Sequence, residues 1–222
     1  MAKQRDPATF NKATQAALQA YINELFVKET ETQMQVRQSA ADYDLPQIEL
    51  RPYEGQFLMW LATLVGAQRI VEIGTLAGYS ATWLARALPI DGKLICLEKS
   101  QKAADIARQN FELVGIDHLI DLIVGDAHQM LKTLEGPFDM VFIDAEKSGY
   151  AAYLDWAMDN VRERGIIAAH NAFQGGDILD EGTANPEVQA MQAFNRRLTE
   201  EFSLLPSIYP AGDGILVAMK LP

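Results

Sequence analysis

The sequence predicts an α/β fold: a doubly wound, seven-stranded, mostly parallel sheet that ends in an antiparallel C-terminal hairpin and carries N-terminal accessory helices. Three observations carry this expectation. Five short apolar runs, at 69–73, 93–97, 120–124, 138–143 and 165–169, have the length and content of buried strands. Helix-like sequence at 80–88, 100–114, 127–134 and 150–161 separates them, an alternation that implies parallel strands with right-handed crossovers. The first run also passes into Val71-Glu72-Ile73-Gly74-Thr75-Leu76-Ala77-Gly78-Tyr79-Ser80. Two glycines there let a strand turn into a helix with little side chain in the way, which opens room for a nucleotide-like ligand.

The elements follow in order. Phe10, Ala13, Ala17, Tyr21, Leu25, Met34 and Ala41 recur at helical steps, and Pro7 suits a first turn, so residues 1–52 read as accessory helices of the same domain. Two prolines in 42–52 break that pattern, and 53–66 reads as a helix closed by glycine. The main domain is expected over 53–222. Beyond the fifth strand come a Gly-rich acidic loop at 172–185 and a helix at 186–202. Strands at 203–209 and 214–220, joined by Pro-Ala-Gly-Asp, make a hairpin at the sheet edge.

Composition bounds the partners. With 222 residues, 49% hydrophobic and 22% charged, the chain has the make-up of one ordinary globular domain. A net charge of -11 repels polyphosphates at long range and argues against a nucleic-acid partner, favouring small molecules. The single cysteine, Cys96, sits inside an apolar run, where a buried inert thiol is expected and no intrachain disulfide can form. The longest nearly apolar run, 57–67, is far short of the roughly 20 residues that span a bilayer, and the opening residues are polar. A cytoplasmic protein with no membrane partner is the expectation.

The cofactor is read from the strand ends. The spacing Gly74-x-x-x-Gly78 lacks the middle glycine that brings a backbone close to a pyrophosphate, so a ligand without phosphates fits better. S-adenosylmethionine, with an adenosine half and an amino-acid half, is such a ligand. Glu98 ends the second strand 20 residues after Gly78, where a carboxylate can accept from a ribose diol or simply be a solvated charge before a helix. Asp126, followed by Ala127, can meet an adenine amino group or cap the next helix. Glu72 and Ser80 flank the glycine turn and can face a ligand's ammonium and carboxylate ends.

Two neighbouring strand ends hold the reactive groups. The fourth ends in Asp144-Ala145-Glu146-Lys147, the fifth in His170-Asn171. A carboxylate, an imidazole and an amide oxygen on one rim, from Asp144, His170 and Asn171, make a candidate divalent-metal site with open positions. Taken alone, Asp144 also suits a helix cap, and His170 a hydrogen-bonded histidine.

From about Met34 to its end the chain resembles the S-adenosylmethionine-dependent O-methyltransferases of the catechol and caffeoyl-coenzyme A type, particularly their small bacterial members. The resemblance implies a class I methyltransferase domain over 53–222 and a homodimer. It matches Glu72, Gly74, Gly78 and Ser80 to the cofactor turn, Glu98 to the ribose carboxylate, and Asp126 and Ala127 to the adenine contact. Asp144 matches a metal carboxylate, and Lys147 the lysine that takes the phenol proton. Glu54-Gly55-Gln56-Phe57-Leu58 resembles the segment leading into the core helix, and Gly212-Asp213-Gly214 the closing hairpin. At the end of the fifth strand the family has an Asp-Asn pair on Mg²⁺ or Ca²⁺, whereas this chain has His170-Asn171. Imidazole suits Mn²⁺, Fe²⁺, Co²⁺ or Zn²⁺ better than those hard cations. A changed metal, a weakened one, or none are the three outcomes left open.

The implied activity is methyl transfer to a hydroxyl of a small, catechol-like aromatic acceptor, assisted by a divalent metal. A phenol with pKa near ~10 is mostly protonated at neutral pH and needs activation. Lys147 is the expected base, with an exposed helix lysine as the plain alternative. Competing readings are a nucleotide-binding oxidoreductase, a methyltransferase acting on a tRNA wobble-base hydroxyl, and a metal-free or inactive relative that only binds the cofactor. Trp60, Tyr150, Phe173 and Tyr209 are candidates for an aromatic pocket or for core.

Overall fold

A computed structural model describes residues 12–222, which leaves Pro7 and Phe10 of the first expected helix outside the described residues. Two helices open it, α1 (Lys12–Leu25) and α2 (Glu31–Asp42). Thr30 caps α2 by accepting from the Gln33 N–H, while the Gln33 side chain accepts from the Thr30 N–H. Helix α3 (Pro52–Leu64) starts with proline in its first turn, and Glu54 accepts from the Arg51 N–H at 2.8 Å. Ala13, Ala17, Tyr21 and Leu25 on α1 are exposed, so the described residues leave that apolar spacing uncovered.

The sheet is β1 (Arg69–Ile73), β2 (Lys93–Glu98), β3 (Ile120–Val124), β4 (Phe138–Ile143), β5 (Val161–His170), β6 (Leu204–Tyr209) and β7 (Ile215–Lys220), in spatial order 3-2-1-4-5-7-6. Strands β1 to β5 are parallel, and β7 runs antiparallel between β5 and β6. Helices α4 (Tyr79–Ala85), α5 (Gln101–Val114), α6 (Ala127–Met130), α7 (Tyr150–Asn160) and α8 (Pro186–Glu200) connect them. Ser100 caps α5 by accepting from the Ala103 N–H, and Gly115 ends it in the left-handed conformation.

Alternation along β4 shows why the strands read as apolar runs. Met140 and Phe142 join one core layer with Leu58, Trp83 and Phe111, while Val141 and Ile143 join the other with Tyr150, Leu154 and Phe194. Both faces are covered by helices. Register then aligns the strand ends, because Ile73 pairs with Leu97 and Ile143, and Ile143 with Ala169. The residues that follow, Gly74, Glu98, Asp144 and His170, therefore reach one rim. This is where the strand order reverses, between β1 and β4, and where an open α/β sheet offers its crevice.

Most expected boundaries hold to within two residues, and three differ by more. Helix α4 stops at Ala85 rather than 88, since the residue before Pro89 is disfavoured in helical conformation. The helix expected over 127–134 is only α6 followed by a 3-10 turn, Leu131–Thr133. Strand β5 begins at Val161, four residues early, because Val161 pairs with Phe138 ahead of a register shift and Arg164 adopts φ 60°. Among the described residues no helix is long and apolar enough to cross a membrane. Cys96 is buried, as expected.

Candidate active site

A cavity of about 540 Å³ opens at the rim. Gly74, Ser80, Glu98, Asp126, Ala127, Asp144, Lys147 and Asn171 all line it. The structure thus gathers most of the sequence-proposed site residues, while Glu72, Gly78 and His170 do not line the cavity.

The glycine turn is built by conformation and space. Gly74 has φ +92°, and a Cβ there would stand 2.1 Å from the Asp144 carbonyl oxygen. Gly78 has φ +87°, with Phe111 2.4 Å from the place of a Cβ, so its job is to seat α5 against the turn. Leu76 is left-handed without being glycine, at φ 49°. Its N–H donates to Glu98 Oε2 at 2.8 Å, as the Thr75 N–H does at 3.2 Å. Glu98 Oε1 accepts from the Ser100 N–H at 2.7 Å. The carboxylate is held by backbone on both oxygens, and the remaining lone pair, on Oε1, is free for a hydroxyl donor. Asp126 makes no side-chain cap bond, so the capping role open to it in the sequence is not the one it takes.

Glu72 is completely buried. Thr75 Oγ1 donates to its Oε2 at 3.0 Å and the Cys96 thiol at 3.4 Å, and Oε1 has no hydrogen-bond partner among the described residues. Burial, partly offset by the Ser80 and Thr75 hydroxyls and the Cys96 thiol, raises its pKa to about 7. A carboxyl whose folded pKa exceeds its unfolded value loses stability as pH rises from the unfolded pKa to the folded one. That loss, about 3 kcal/mol between about pH 4 and pH 8, is expected to vanish in Glu72→Gln. Urea unfolding of both proteins at the two pH values checks it.

The reactive groups form one chain of contacts. Lys147, in the 3-10 turn Lys147–Gly149, donates to Tyr150 Oη at 2.6 Å and to Asn171 Oδ1 at 2.7 Å, with Asp144 Oδ1 3.6 Å away. Burial lowers its pKa against the pull of Asp144, Glu187 and Asp213. Tyr150 Oη lies 3.3 Å and 3.2 Å from the Ile143 and His170 carbonyl oxygens. Asn171 is left-handed at φ 63°, a conformation asparagine tolerates, and its Nδ2 donates to Asp213 Oδ2 at 3.0 Å.

His170 is 4% exposed, with Nε2 3.1 Å from Glu54 Oε1 and Nδ1 3.3 Å from Asp144 Oδ2. Burial alone would lower its pKa, but the charges and hydrogen bonds of Asp144 and Glu54 outweigh it and raise it to about 9. Asp144 is correspondingly lowered despite burial, by His170 and then Lys147. The donor set therefore does not fit a divalent cation. A histidine ligand needs a lone pair on one nitrogen, and both nitrogens here face carboxylates; Asn171 Oδ1 is taken by Lys147. Among the described residues no three His, Cys, Asp or Glu side chains are arranged to hold a metal.

Sequence reasoning missed the parts played by Tyr150, Glu54 and Asp213. Tyr150 looks like core and is fully buried, yet its hydroxyl sits on Lys147. None of Trp60, Tyr150, Phe173 and Tyr209 lines the cavity. Trp60 and Tyr209 instead each stack with Phe57, with Trp60 54% exposed.

Comparison with known proteins agrees with this architecture. A catechol O-methyltransferase of Niastella koreensis is 40% identical over 182 residues, 80% of this chain and 82% of that one. A catechol O-methyltransferase of Mycobacterium tuberculosis is 40% identical over 152 residues, 68% and 69% of the two chains. Among solved structures, the O-methyltransferase TomG of Streptomyces achromogenes, in complex with SAM, superposes with a TM-score of 0.87 at 32% identity, over 96% of this chain and 100% of that one. The family model described as O-methyltransferase matches residues 23–221, and the chain belongs to the O-methyltransferase family.

Proposed function

We propose that the protein moves a methyl group from S-adenosylmethionine to a hydroxyl of a small, catechol-like aromatic acceptor, with Lys147 as the base. The observation that carries this reading is the Lys147 amine on the wall of the same cavity as Glu98 and the glycine turn. The names of the relatives support the acceptor class. When bound, S-adenosylmethionine supplies an electrophilic methyl on a sulfonium. Glu98 would hold its ribose hydroxyls, Asp126 and Ala127 its adenine, and Gly74, Ser80 and Asp144 its amino-acid end, with Glu72 bracing the turn from behind.

Lys147 does the proton work. A neutral amine has two N–H groups and one lone pair, and Tyr150 Oη and Asn171 Oδ1 accept both hydrogens. The lone pair is left to take the phenolic proton as the new O–C bond forms, and the pair of the broken C–S bond stays on sulfur. A lowered pKa increases the neutral fraction of Lys147 near working pH. No step here is routed through a metal. We also assign the homodimer to this reading, on the exposed Tyr21, Leu25 and Phe26 of the N-terminal segment.

Incubation with S-adenosylmethionine and catechol, followed by mass spectrometry, tests the proposal. A monomethylated catechol formed in step with S-adenosylhomocysteine is expected. No methylation of catechol or of a panel of related phenols, in a protein that binds S-adenosylhomocysteine, would overturn it.

A further inference from the structure

The environment of His170 has a consequence for the cation requirement of the reaction. Its ring is held on both sides, by Glu54 from α3 at 3.1 Å and by Asp144 from the end of β4 at 3.3 Å. Glu54 is 2% exposed, and its other oxygen accepts from the Arg51 N–H. The β6–β7 connection closes over this pair so tightly that a Cβ on Gly212 would stand 2.1 Å from Glu54 Oε1. Three elements therefore build a seat for one imidazole between two carboxylates. Two acceptors facing both ring nitrogens are satisfied only when both nitrogens carry hydrogen, which leaves no lone pair for a metal.

The other ligand positions are also filled. An ion chelated by Asp144 and Asn171 would need oxygens at about 2.0–2.6 Å, in the space where Lys147 Nζ stands, 2.7 Å from Asn171 Oδ1 and 3.6 Å from Asp144 Oδ1. Entry of a dication would require expelling a proton from His170 and displacing the Lys147 amine. It would also face the charge of the His170 ring before it gained any ligand.

We propose that this chain works without a divalent cation, the doubly protonated ring of His170, held by Glu54, standing as a built-in positive charge on Asp144. His170 and Glu54 are positioning residues: they act through Asp144, which lines the cavity, and do not line it themselves. The proposal rests on the methyl-transfer reading for its meaning, but its central claim concerns ion binding and is measured separately.

The test uses the full chain, stripped with EDTA and saturated with S-adenosylhomocysteine, titrated calorimetrically with MgCl₂ and with MnCl₂. Wild type is expected to give no binding heat and no shift in melting temperature, and its turnover is expected to be the same in EDTA as in either metal. His170→Asp exchanges a resident cation for a carboxylate, and it is expected to gain binding of Mg²⁺ or Mn²⁺ and a turnover that EDTA abolishes. His170→Gln, which supplies no carboxylate, is expected to lose turnover with no gain of metal binding. Stoichiometric binding of either ion to wild type, with release of a proton, overturns the proposal, as does a wild-type turnover lost in EDTA and restored by metal. Should His170→Asp not fold, the wild-type titration and His170→Gln decide. Should wild type methylate no acceptor, the functional reading fails while the titration still decides ion binding.

Discussion

Lys147→Ala is expected to lower turnover by about 10²–10⁴-fold, the usual worth of a positioned general base, while S-adenosylhomocysteine binds nearly as before. The side chain is held by Tyr150 and Asn171, and it lines the same cavity as Glu98 and Gly74. On the proposed reading, removing it deletes the proton acceptor and leaves Glu98, Asp126 and Ala127 in place. Lys147→Arg sharpens the experiment, because a guanidinium keeps the charge but is always protonated and cannot take a proton. Both variants should therefore be slow if Lys147 is a base, whereas Arg should recover activity if only its charge matters. Single-turnover rates and calorimetric titration with S-adenosylhomocysteine separate the two effects. Full activity in Lys147→Ala removes the base assignment.

Gly74→Ala is expected to abolish cofactor binding and to destabilise the fold by about 2–5 kcal/mol, the sum of a strained left-handed residue and an overpacked contact. The new methyl group would lie 2.1 Å from a backbone carbonyl, that of Asp144, and only a shift of the β4 end could relieve it. That shift would carry Asp144 and Lys147 with it. Gly115→Ala is the control: Gly115 has φ +77° but none of the described residues comes within 4 Å of its Cβ position, so it should cost only about 1 kcal/mol and leave binding intact. Urea unfolding and a ligand titration of both variants check this. Wild-type binding in Gly74→Ala would show that the turn is softer than its geometry implies.

Legibility in the sequence followed the range of the interaction. Strands β1 and β4 coincide with their apolar runs, because burial on both faces writes itself into consecutive residues, and the half-buried edge strand β3 coincides with its own run as well. Strand β5 was read short, since its first residues pair across an irregularity and carry Arg162, Glu163 and Arg164, which look like a loop. At the site, Gly74, Glu98, Asp144 and Lys147 were legible as strand-end residues of one topology. Tyr150 was not, because a tyrosine on a buried helix face gives no local sign that its hydroxyl meets a lysine three residues earlier.

By itself, the chain's pattern of apolar runs, glycine turn and strand-end carboxylates determined a doubly wound sheet with a cofactor crevice at its carboxyl edge, since periodicity and turn chemistry are local properties. Only the tertiary structure decided what His170 does. Its partners are Glu54, 116 positions away on α3, and Asp144, 26 positions away at the end of β4. Whether a histidine offers a lone pair or a proton is set by which groups face its two nitrogens, and packing at that separation leaves no trace in the neighbouring residues.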